Sequence, residues 1–299
     1  MSGPRPSVSV GIPTYNGVER LRGAVDSVLA QDHPGVEIVI SDNGSTDGTE
    51  AYGRALQAEH PDAVRYLRND RNLGPTENFR RVRAACTGEF VMWLGDDDRL
   101  GPGYLSACVA LLAERPDAAV AAGAVRYADE GRDDRVGDLV QCDQADPLDR
   151  VLAYYRQVGD NSIFYGVTRQ SVAERVAPLA GVIGADWYLM AEVAFAGPIL
   201  FVDGVELVRR SGGTSRSLKH AARSLGFTWI EGEFPQLVIA GLAFRELAWS
   251  SPAYARLGRI ERLSAAVRAA AIVVRRFVVP AVPRYLRLLG RRIRGVDGA

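Results

Sequence analysis

Short apolar runs alternate with amphipathic segments over the first 125 residues of this chain, and this alternation constrains its fold more than any other feature. The apolar runs have the length of strands, whereas the amphipathic segments repeat their apolar side chains at helical spacing. The pattern predicts βαβ units and a mainly parallel sheet of the α/β class. The predicted strands are residues 8–12, 36–40, 64–67, 90–94 and 118–125, and the predicted helices are residues 17–30, 49–59, 75–85 and 102–114.

The rest of the chain is less regular. Residues 126–149 are acidic and poor in apolar side chains, which predicts an exposed excursion. The predicted elements that follow are helices at 147–157 and 186–196, strands around 162–167, 199–202 and 205–209, a Gly/Ser-rich loop at 211–217, and helices over 221–250 and from about 253. The predicted domains are residues 1–220, with halves at about 1–125 and 126–220, and a helical region over 221–299.

Composition excludes several classes of protein. Hydrophobic residues make up 47% of the chain and charged residues 24%, which excludes a disordered or collagen-like protein. The 36 basic residues equal the 36 acidic ones in number, so we expect no nucleic-acid partner. Three cysteines without C-x-x-C spacing argue against a disulfide framework and against a structural zinc site.

The chain has no apolar run of 18 residues and no apolar core of a secretory signal near residue 1, so we expect a cytoplasmic protein. Its last part is unusual, because from residue 253 onward it has 11 arginines and two acidic residues. Arginines mixed with Leu, Ile, Val and Phe are typical of a helix lying in the plane of a membrane surface, here the inner face of the cell membrane. The alternatives are a helix docked on the domain or on a second subunit of a homodimer.

Polar clusters follow three of the predicted strands, at residues 13–16, 41–47 and 96–98. In sheets with parallel strands, ligands bind beyond the carboxyl ends of the strands, so these clusters predict a binding site. Asp42 is suited to accept a hydrogen bond from the imide N–H of a nucleobase. The alternative for its cluster is an Asx-rich turn that caps the next helix.

Asp96, Asp97 and Asp98 are adjacent carboxylates directly after an apolar strand. Like charges this close repel by about 1 kcal/mol per pair even in water, so a cation should neutralise them. A divalent ion with oxygen ligands that bridges to a diphosphate is the natural candidate. The alternative is a solvated acidic loop that caps the helix at Pro102.

Four motifs occur together and in order: residues 8–16 (VSVGIPTYN), 41–49 (SDNGSTDGT), 69–78 (NDRNLGPTEN) and 87–98 (TGEFVMWLGDDD). Together they resemble the family 2 glycosyltransferases of the GT-A fold, closely over about the first 110 residues and loosely to about residue 215. The segment WLGDDD is similar to the bacterial abequosyltransferase-like subgroup. The resemblance implies a GT-A domain over 1–220, a nucleotide-diphosphate sugar donor of the UDP or dTDP type, and Mg²⁺ or Mn²⁺.

The resemblance also implies roles for individual residues. The implied nucleotide-binding residues are Pro13, Thr14 and Tyr15, with Tyr15 against the base, Asp42 at the base, Glu19 and Arg71 near the nucleotide or its phosphates, and Asp96 at the ribose. Asp97 and Asp98 would bind the metal. The family pattern has Asp where this chain has Gly95, which leaves open which two of the three carboxylates serve the metal.

The catalytic base is implied later in the chain, where family members carry an acidic pair at the start of a helix. Here that position reads Gly184-Ala185-Asp186-Trp187, so Asp186 is the implied base that removes the proton of the acceptor hydroxyl. The alternative for Asp186 is an N-cap. Trp187 either stacks on a sugar or fills the core.

Residues 209–216 (RRSGGTSR) resemble the family's mobile loop. Arg209 and Arg210 would meet the donor pyrophosphate, and the glycines would let the loop close. His220 is either a further metal ligand or a surface histidine.

The predicted function is inverting, metal-dependent transfer of a sugar to a hydroxyl of a glycan, a lipid-linked acceptor or a small molecule, in the synthesis of bacterial surface polysaccharides, glycolipids or glycosylated metabolites. A catalytically silent nucleotide-sugar-binding scaffold and a nucleotidyltransferase stay open as alternatives. The substitutions Gly95 and Ala185 are the reason to keep the scaffold.

Overall fold

The computed structural model describes residues 7–128, 135–210, 228–283 and 285–286. Within these ranges the strands form one mixed sheet. They are β1 (Val8–Thr14), β2 (Val36–Asp42), β3 (Val64–Arg68), β4 (Phe90–Trp93), β5 (Arg99–Leu100), β6 (Val120–Ala128), β7 (Arg135–Val136), β8 (Val167–Arg169) and β9 (Ile199–Arg210).

The α-helices among these residues are α1 (Val18–Leu29), α2 (Thr49–Glu59), α3 (Pro75–Ala85), α4 (Tyr104–Glu114), α5 (Pro147–Gln157), α6 (Gln170–Ala173), α7 (Ala185–Ala196), α8 (Trp229–Glu233), α9 (Pro235–Arg245) and α10 (Arg259–Val273). Helices α2, α3 and α5 begin and end where the sequence pattern predicts. Proline is at the first position of α3 and α5. It fits there because an N–H in the first turn has no partner within the helix, so its absence costs no hydrogen bond.

The strand order in the described sheet is β3-β2-β1-β4-β8-β6-β9-β5, with β7 paired to β6. The strands β3, β2, β1 and β4 are parallel, which confirms the βαβ prediction for the first half. Beyond β4 the sheet is mixed, since β8 runs antiparallel to both β4 and β6, whereas β6 and β9 are parallel. The parallel prediction therefore holds for only part of the second half.

Two predicted elements of the second half differ in the structure. The strand expected at 162–167 is a 3₁₀ turn over Ser162–Tyr165 followed by β8, because Asn161 before it has left-handed backbone (φ +53°) and starts a turn. The two strands expected at 199–202 and 205–209 are one strand, β9. A shift of register opposite Ala122–Ala124 of β6 absorbs the turn-forming Asp203-Gly204 pair, as a β-bulge does.

Apolar side chains are buried on both faces of the sheet. One face packs against α1 and α4, and alternate residues of β1 such as Val8, Val10 and Ile12 point into that core. The other face carries α3, α5 and α7. The three cysteines are free and buried.

The helical region after residue 228 packs on the second half of the sheet domain. Helix α10 buries Ala265, Ala266, Ala269 and Val273 in the same core as α5 and α7. This face of α10 is therefore docked on the domain, which was one of the alternatives for the last part of the chain. No helix among the described residues has the length and apolar character needed to cross a membrane.

Candidate active site

The ends of β1, β2 and β4 lie side by side. In the parallel register Thr14 is opposite Asp42, and Gly11 is opposite Trp93, so the residues after these strands meet at one edge. The polar clusters at 13–16, 41–47 and 96–98 are thus neighbours in space. This edge is the candidate site, as expected for the carboxyl ends of parallel strands.

Asp96 is held by two side chains from the β1 end. Thr14 Oγ1 donates to Asp96 Oδ2 at 2.7 Å, and Arg20 of α1 donates to both carboxylate oxygens at 3.2 and 3.3 Å. Burial raises the pKa of Asp96, while Thr14 and Arg20 oppose this shift. Gly17 allows the approach, since a Cβ there would lie 2.5 Å from Asp96 Oδ2.

Asp98 is held by the end of β9. Arg209 Nε donates to Asp98 Oδ2 at 3.3 Å, and the backbone N–H of Arg210 donates to Oδ1 at 3.3 Å. Burial raises the pKa of Asp98 to about 6, and the charge of Arg209 lowers it. Arginines of this chain therefore neutralise two of the three carboxylates, a role that the sequence analysis gave to a metal ion.

Arg209 is fixed by aromatic neighbours. Its guanidinium lies 4.3 Å from the centre of the Tyr165 ring and donates to the hydroxyls of Tyr165 at 3.1 Å and Tyr127 at 3.4 Å. Such a stack suits the planar guanidinium and holds its position. Neither tyrosine was singled out from the sequence, because neither lies in a motif.

Asp97 differs from its two neighbours. Within the part of the chain that the structure describes, its carboxylate has no hydrogen bond and no ion pair. Gly95 provides the room for this arrangement, since a Cβ there would lie 2.7 Å from Asp98 Oδ2 and 3.1 Å from Asp97 Oδ1. An Asp at position 95 would push both carboxylates away.

The residues present fit a divalent cation only in part. The described chain has no group of three His, Cys, Asp or Glu side chains able to ligate a metal. Mg²⁺ usually takes only one or two protein carboxylates and completes its shell with waters and substrate phosphates. Asp97 suits such a site, whereas Asp96 is held by Thr14 and Arg20, and Asp98 would have to exchange its contact with Arg209 to join it.

Asp186 lies in the first turn of α7 and is partly buried. Asn161 Nδ2 donates to Asp186 Oδ2 at 2.9 Å, and the Tyr154 hydroxyl donates to Asn161 Oδ1 at 2.7 Å. Burial raises the pKa of Asp186, and the bond from Asn161 opposes this shift. The N-cap residue of α7 is Gly184, so Asp186 is not the N-cap of this helix.

Asp186, Asp97 and Asp98 all act electrostatically on the same side chain, that of Tyr165. Burial raises the pKa of Tyr165 to about 12, and the charges of Asp98, Asp186 and Asp97 all act in the same direction. Tyr165 therefore lies within reach of the acids from both halves of the chain. Asn161 and Tyr154, which position Asp186, were not found from the sequence. The uncommon left-handed backbone of Asn161 (φ +53°) is visible only in three dimensions.

Trp187 is 8% exposed and packs edge to face on Phe277, with 5.5 Å between ring centres. It therefore fills the core between α7 and the helical region, which was one of its two predicted roles. The buried ring favours this core role over stacking on a sugar in the donor or acceptor loop.

The remaining predicted nucleotide residues lie around the β1 and β2 ends. Asp42 is fully buried; it accepts the Ser45 N–H at 2.9 Å and the Tyr66 hydroxyl at 2.5 Å. Tyr15 is 42% exposed at the edge. Of the others, Pro13 and Thr14 are buried, and Glu19 and Arg71 are exposed.

Four asparagines join the loops that follow β1, β2 and β3. Asn43 bonds to Asn72 and Asn69, and Asn78 donates to the carbonyl oxygens of Thr14 and Ser41. The sequence motif contains these asparagines, but no role was given to them. Their bonds fix the geometry of the edge against which a nucleotide would lie. The loop over 211–217 and His220 lie outside the described residues.

A model of glycosyl transferase family 2 matches residues 9–176, more than half of the chain. The chain is 41% identical over 70 residues to the abequosyltransferase RfbV of Salmonella typhimurium, a match that covers 23% of this chain and 21% of that protein. It is 34% identical over 71 residues to the putative glycosyltransferase EpsE of Bacillus subtilis, covering 24% of this chain and 25% of EpsE. An uncharacterised glycosyltransferase of Rickettsia felis is 42% identical over 65 residues, which is 22% of this chain and 10% of that protein. The chain thus spans a quarter or less of the length of these curated relatives.

Solved structures share the fold. The mannosyltransferase PcManGT of Pyrobaculum calidifontis, in complex with GDP-Man and Mn²⁺, superposes with a TM-score of 0.56 at 20% identity, covering 97% of this chain and 81% of that one. Residues 1–349 of TarS from S. aureus, in complex with UDP-GlcNAc, give 0.55 at 16% identity, covering 88% and 81%. These neighbours confirm the GT-A fold that the sequence motifs predict.

Proposed function

Since this chain belongs to glycosyl transferase family 2, we propose that it transfers a sugar from a nucleotide-diphosphate donor to a hydroxyl acceptor. The proposal is supported by Asp97, which has no hydrogen bond or ion pair among the described residues, by the arginine-held Asp98 beside it, and by Asp186, which acts electrostatically on Tyr165 together with both. The fold neighbours were solved with UDP-GlcNAc or with GDP-Man and Mn²⁺, which supports a donor of this class.

The donor would lie along the β1, β2 and β4 ends. The base would sit against Tyr15 and the loop fixed by the asparagines, near Asp42, and the ribose near Asp96. Asp96 is already held by Thr14 and Arg20, so its oxygens are oriented before a donor binds. Such preorganisation reduces the entropy lost on binding. Glu19 and Arg71 are exposed at the same edge, where they would face the nucleotide or its phosphates.

Asp97, with Asp98, would hold Mg²⁺ or Mn²⁺, which when bound supplies positive charge to the leaving diphosphate. Arg209 would share that task after exchanging its contact with Asp98 for the phosphate, and Arg210 follows it at the end of β9. Positive groups placed where charge develops are usually the largest contribution to such catalysis.

Asp186 would act as the base. The acceptor oxygen forms a bond to the anomeric carbon, its proton passes to Asp186, and the bond to the diphosphate breaks with its electron pair on the leaving group. Direct displacement of this kind inverts the anomeric centre. A carboxylate whose pKa is raised by burial is a stronger base than an exposed one, which suits Asp186 to this role.

Thermal unfolding with UDP, dTDP, GDP and CDP, each with and without Mn²⁺, tests the donor. A ligand at a hundred times its dissociation constant should stabilise the protein by about 2.7 kcal/mol. We expect one nucleotide to stabilise only with metal, and release of that nucleotide from its sugar conjugates then tests turnover. Metal-dependent binding without turnover on any conjugate or acceptor would favour the silent scaffold. Release of pyrophosphate from a nucleoside triphosphate and a sugar phosphate would favour a nucleotidyltransferase.

We also propose that the outer face of α10 contacts an anionic membrane surface, as a lipid-linked acceptor would require. Ile260, Leu263 and Val267 form an exposed apolar stripe, with Ile260 87% exposed. Arg259 and Arg268 flank the stripe on its two sides. Apolar side chains between cations are typical of helices that lie in the membrane interface.

Sedimentation with vesicles tests this contact. We expect the protein to bind vesicles that contain phosphatidylglycerol, less so at high salt, and to bind neutral vesicles weakly. A variant with Ile260→Asp and Val267→Asp should lose the binding. A dimer in light scattering that this variant makes monomeric, without binding of the parent protein to vesicles, would show that a second subunit covers the stripe.

A further inference from the structure

A cavity of about 390 Å³ lies between α3, β4 and α7, away from the carboxylates of the candidate active site. Its wall is mostly apolar and includes Val91, Met92, Leu189 and Met190. Protein interiors are normally packed to the density of organic crystals, and voids larger than a water molecule are few. A space of this size is within the range of small-molecule binding sites.

Two aromatic side chains, Trp93 and Phe164, line the cavity. Trp93 and Phe164 stack with 4.6 Å between ring centres and 11° between planes. Trp93 Nε1 donates to the carbonyl oxygen of Phe79 at 3.2 Å, which fixes the indole. Two stacked rings held in this way offer an ordered apolar surface to a ligand chain, which reduces the entropy lost on binding.

Arg83 of α3 lines the same cavity. Among the described residues its guanidinium makes no hydrogen bond and no ion pair, although the charge of Glu174 acts on it. Burial lowers the pKa of Arg83, as expected of a cation that has lost water without gaining a partner. Arg80, one turn earlier, is different, because it donates to Leu179 O at 2.6 Å and pairs with Glu77.

We propose that this cavity binds a free amphiphile with one carboxylate or phosphate group, its chain against Trp93 and Phe164 and its anion on Arg83. The charged side chains of the lining are Arg80, Arg83 and Glu174, so their formal charge is positive by one and favours an anion despite the Glu174 carboxylate. The apolar wall selects the chain. Neither Asp186 nor any of Asp96, Asp97 and Asp98 lines the cavity. Leu189, Met190 and Val193 lie three to seven residues after Asp186, or about 4–11 Å along α7 at 1.5 Å per residue.

Titration calorimetry on the full chain tests the proposal with acetate, octanoate, dodecanoate, dodecyl phosphate and dodecanol, each below its micelle concentration. We expect saturable binding of one dodecanoate or dodecyl phosphate per chain, and affinity that rises steeply from acetate to dodecanoate. Arg83→Gln should weaken binding of the two anions at least tenfold and leave dodecanol unchanged. Arg156→Gln, an exposed arginine on α5, is the matched control and should change nothing.

Met190→Trp gives a second, independent variant, since a larger side chain would fill the cavity and leave Arg83 in place. We expect it to lose dodecanoate while metal-dependent nucleotide binding persists, which also shows that it is folded. Equal binding of acetate and dodecanoate, binding without saturation, or no effect of Arg83→Gln would each overturn the proposal. So would binding to phosphatidylglycerol vesicles without binding of any monomeric amphiphile.

Discussion

The two halves of the candidate site are constructed differently. The donor half consists of the loops after β1, β2 and β4. Each of its polar side chains lies within a few residues of a strand end, so short sequence motifs contain it. In the acceptor half, Asp186 is held by Asn161, 25 positions away, and Arg209 reaches Asp98 across 111 positions. The difference indicates that the donor residues can be recognised from short motifs, although Thr14 and Arg20 hold Asp96 across 82 and 76 positions, whereas the partners of Asp186 and Asp98 lie in no motif that names their contact. The variants below test this division.

The largest effect should come from Asp97, the carboxylate that has no hydrogen bond or ion pair within the described ranges of the chain. We expect Asp97→Ala to lower turnover at saturating donor by about 10²–10³-fold, the range for loss of one preorganised electrostatic group. The measurement is the initial rate of nucleotide release with Mn²⁺. Asp62→Ala, which removes an exposed acid from a distant loop, is the control. Near-wild-type turnover of Asp97→Ala would exclude its role at the metal.

Asp186→Asn should distinguish most clearly between loss of the base and loss of donor binding. It keeps the shape of the side chain but removes the base, so we expect turnover to fall by about 10²-fold. Metal-dependent stabilisation by the nucleotide should stay as in the parent protein, because the donor half is untouched. A loss of nucleotide binding in this variant would show that the halves are not independent. Asp203→Asn, on an exposed part of β9, serves as control.

Asn161 should influence the pH dependence rather than donor binding. Its N–H bond favours the ionised form of Asp186, so its removal raises the pKa of Asp186 further. We expect Asn161→Gly to move the acid limb of the pH profile of kcat/KM to higher pH. At pH values below the limb, kcat/KM should then be about tenfold lower than in the parent protein. Glycine is chosen because it tolerates the left-handed backbone at this position. Tyr154→Phe should act in the same direction with a smaller shift, and an unmoved pH profile in both variants would contradict the positioning role.

The smallest expected effect is a pH-dependent loss of folding stability when Arg209 is substituted. The folded pKa of Asp98, about 6, is above its ordinary value of 3.8, so ionisation of Asp98 costs stability as pH rises through this interval. In Arg209→Gln that pKa rises further, and at pH 8 the carboxylate is buried without its cation. We expect a loss of about 2 kcal/mol at pH 8 and much less at pH 5. Urea unfolding in EDTA at both pH values measures it, and an equal loss at the two would argue against the ion pair.

The sequence predicted the elements that depend on local pattern. Helices α2, α3 and α5 have the predicted bounds, and the clusters after β1, β2 and β4 meet as expected. The predictions of a strand at 162–167 and of a break between two strands within β9 were wrong. The left-handed backbone of Asn161 and the bulge in β9 opposite β6 are decided by neighbours that are distant in sequence. The cations beside Asp96 and Asp98 were missed for the same reason.

By itself the sequence determined the α/β class, the family resemblance and the three carboxylates at a strand end, because periodicity and short motifs are local properties of the chain. Only the tertiary structure decided that Asp96 and Asp98 have arginine partners while Asp97 has none in the part of the chain that is described, and that Trp187 is in the core. The reason is physical. Desolvation and ion pairing depend on which distant side chains occupy the same few ångströms, and that is set by packing rather than by order along the chain.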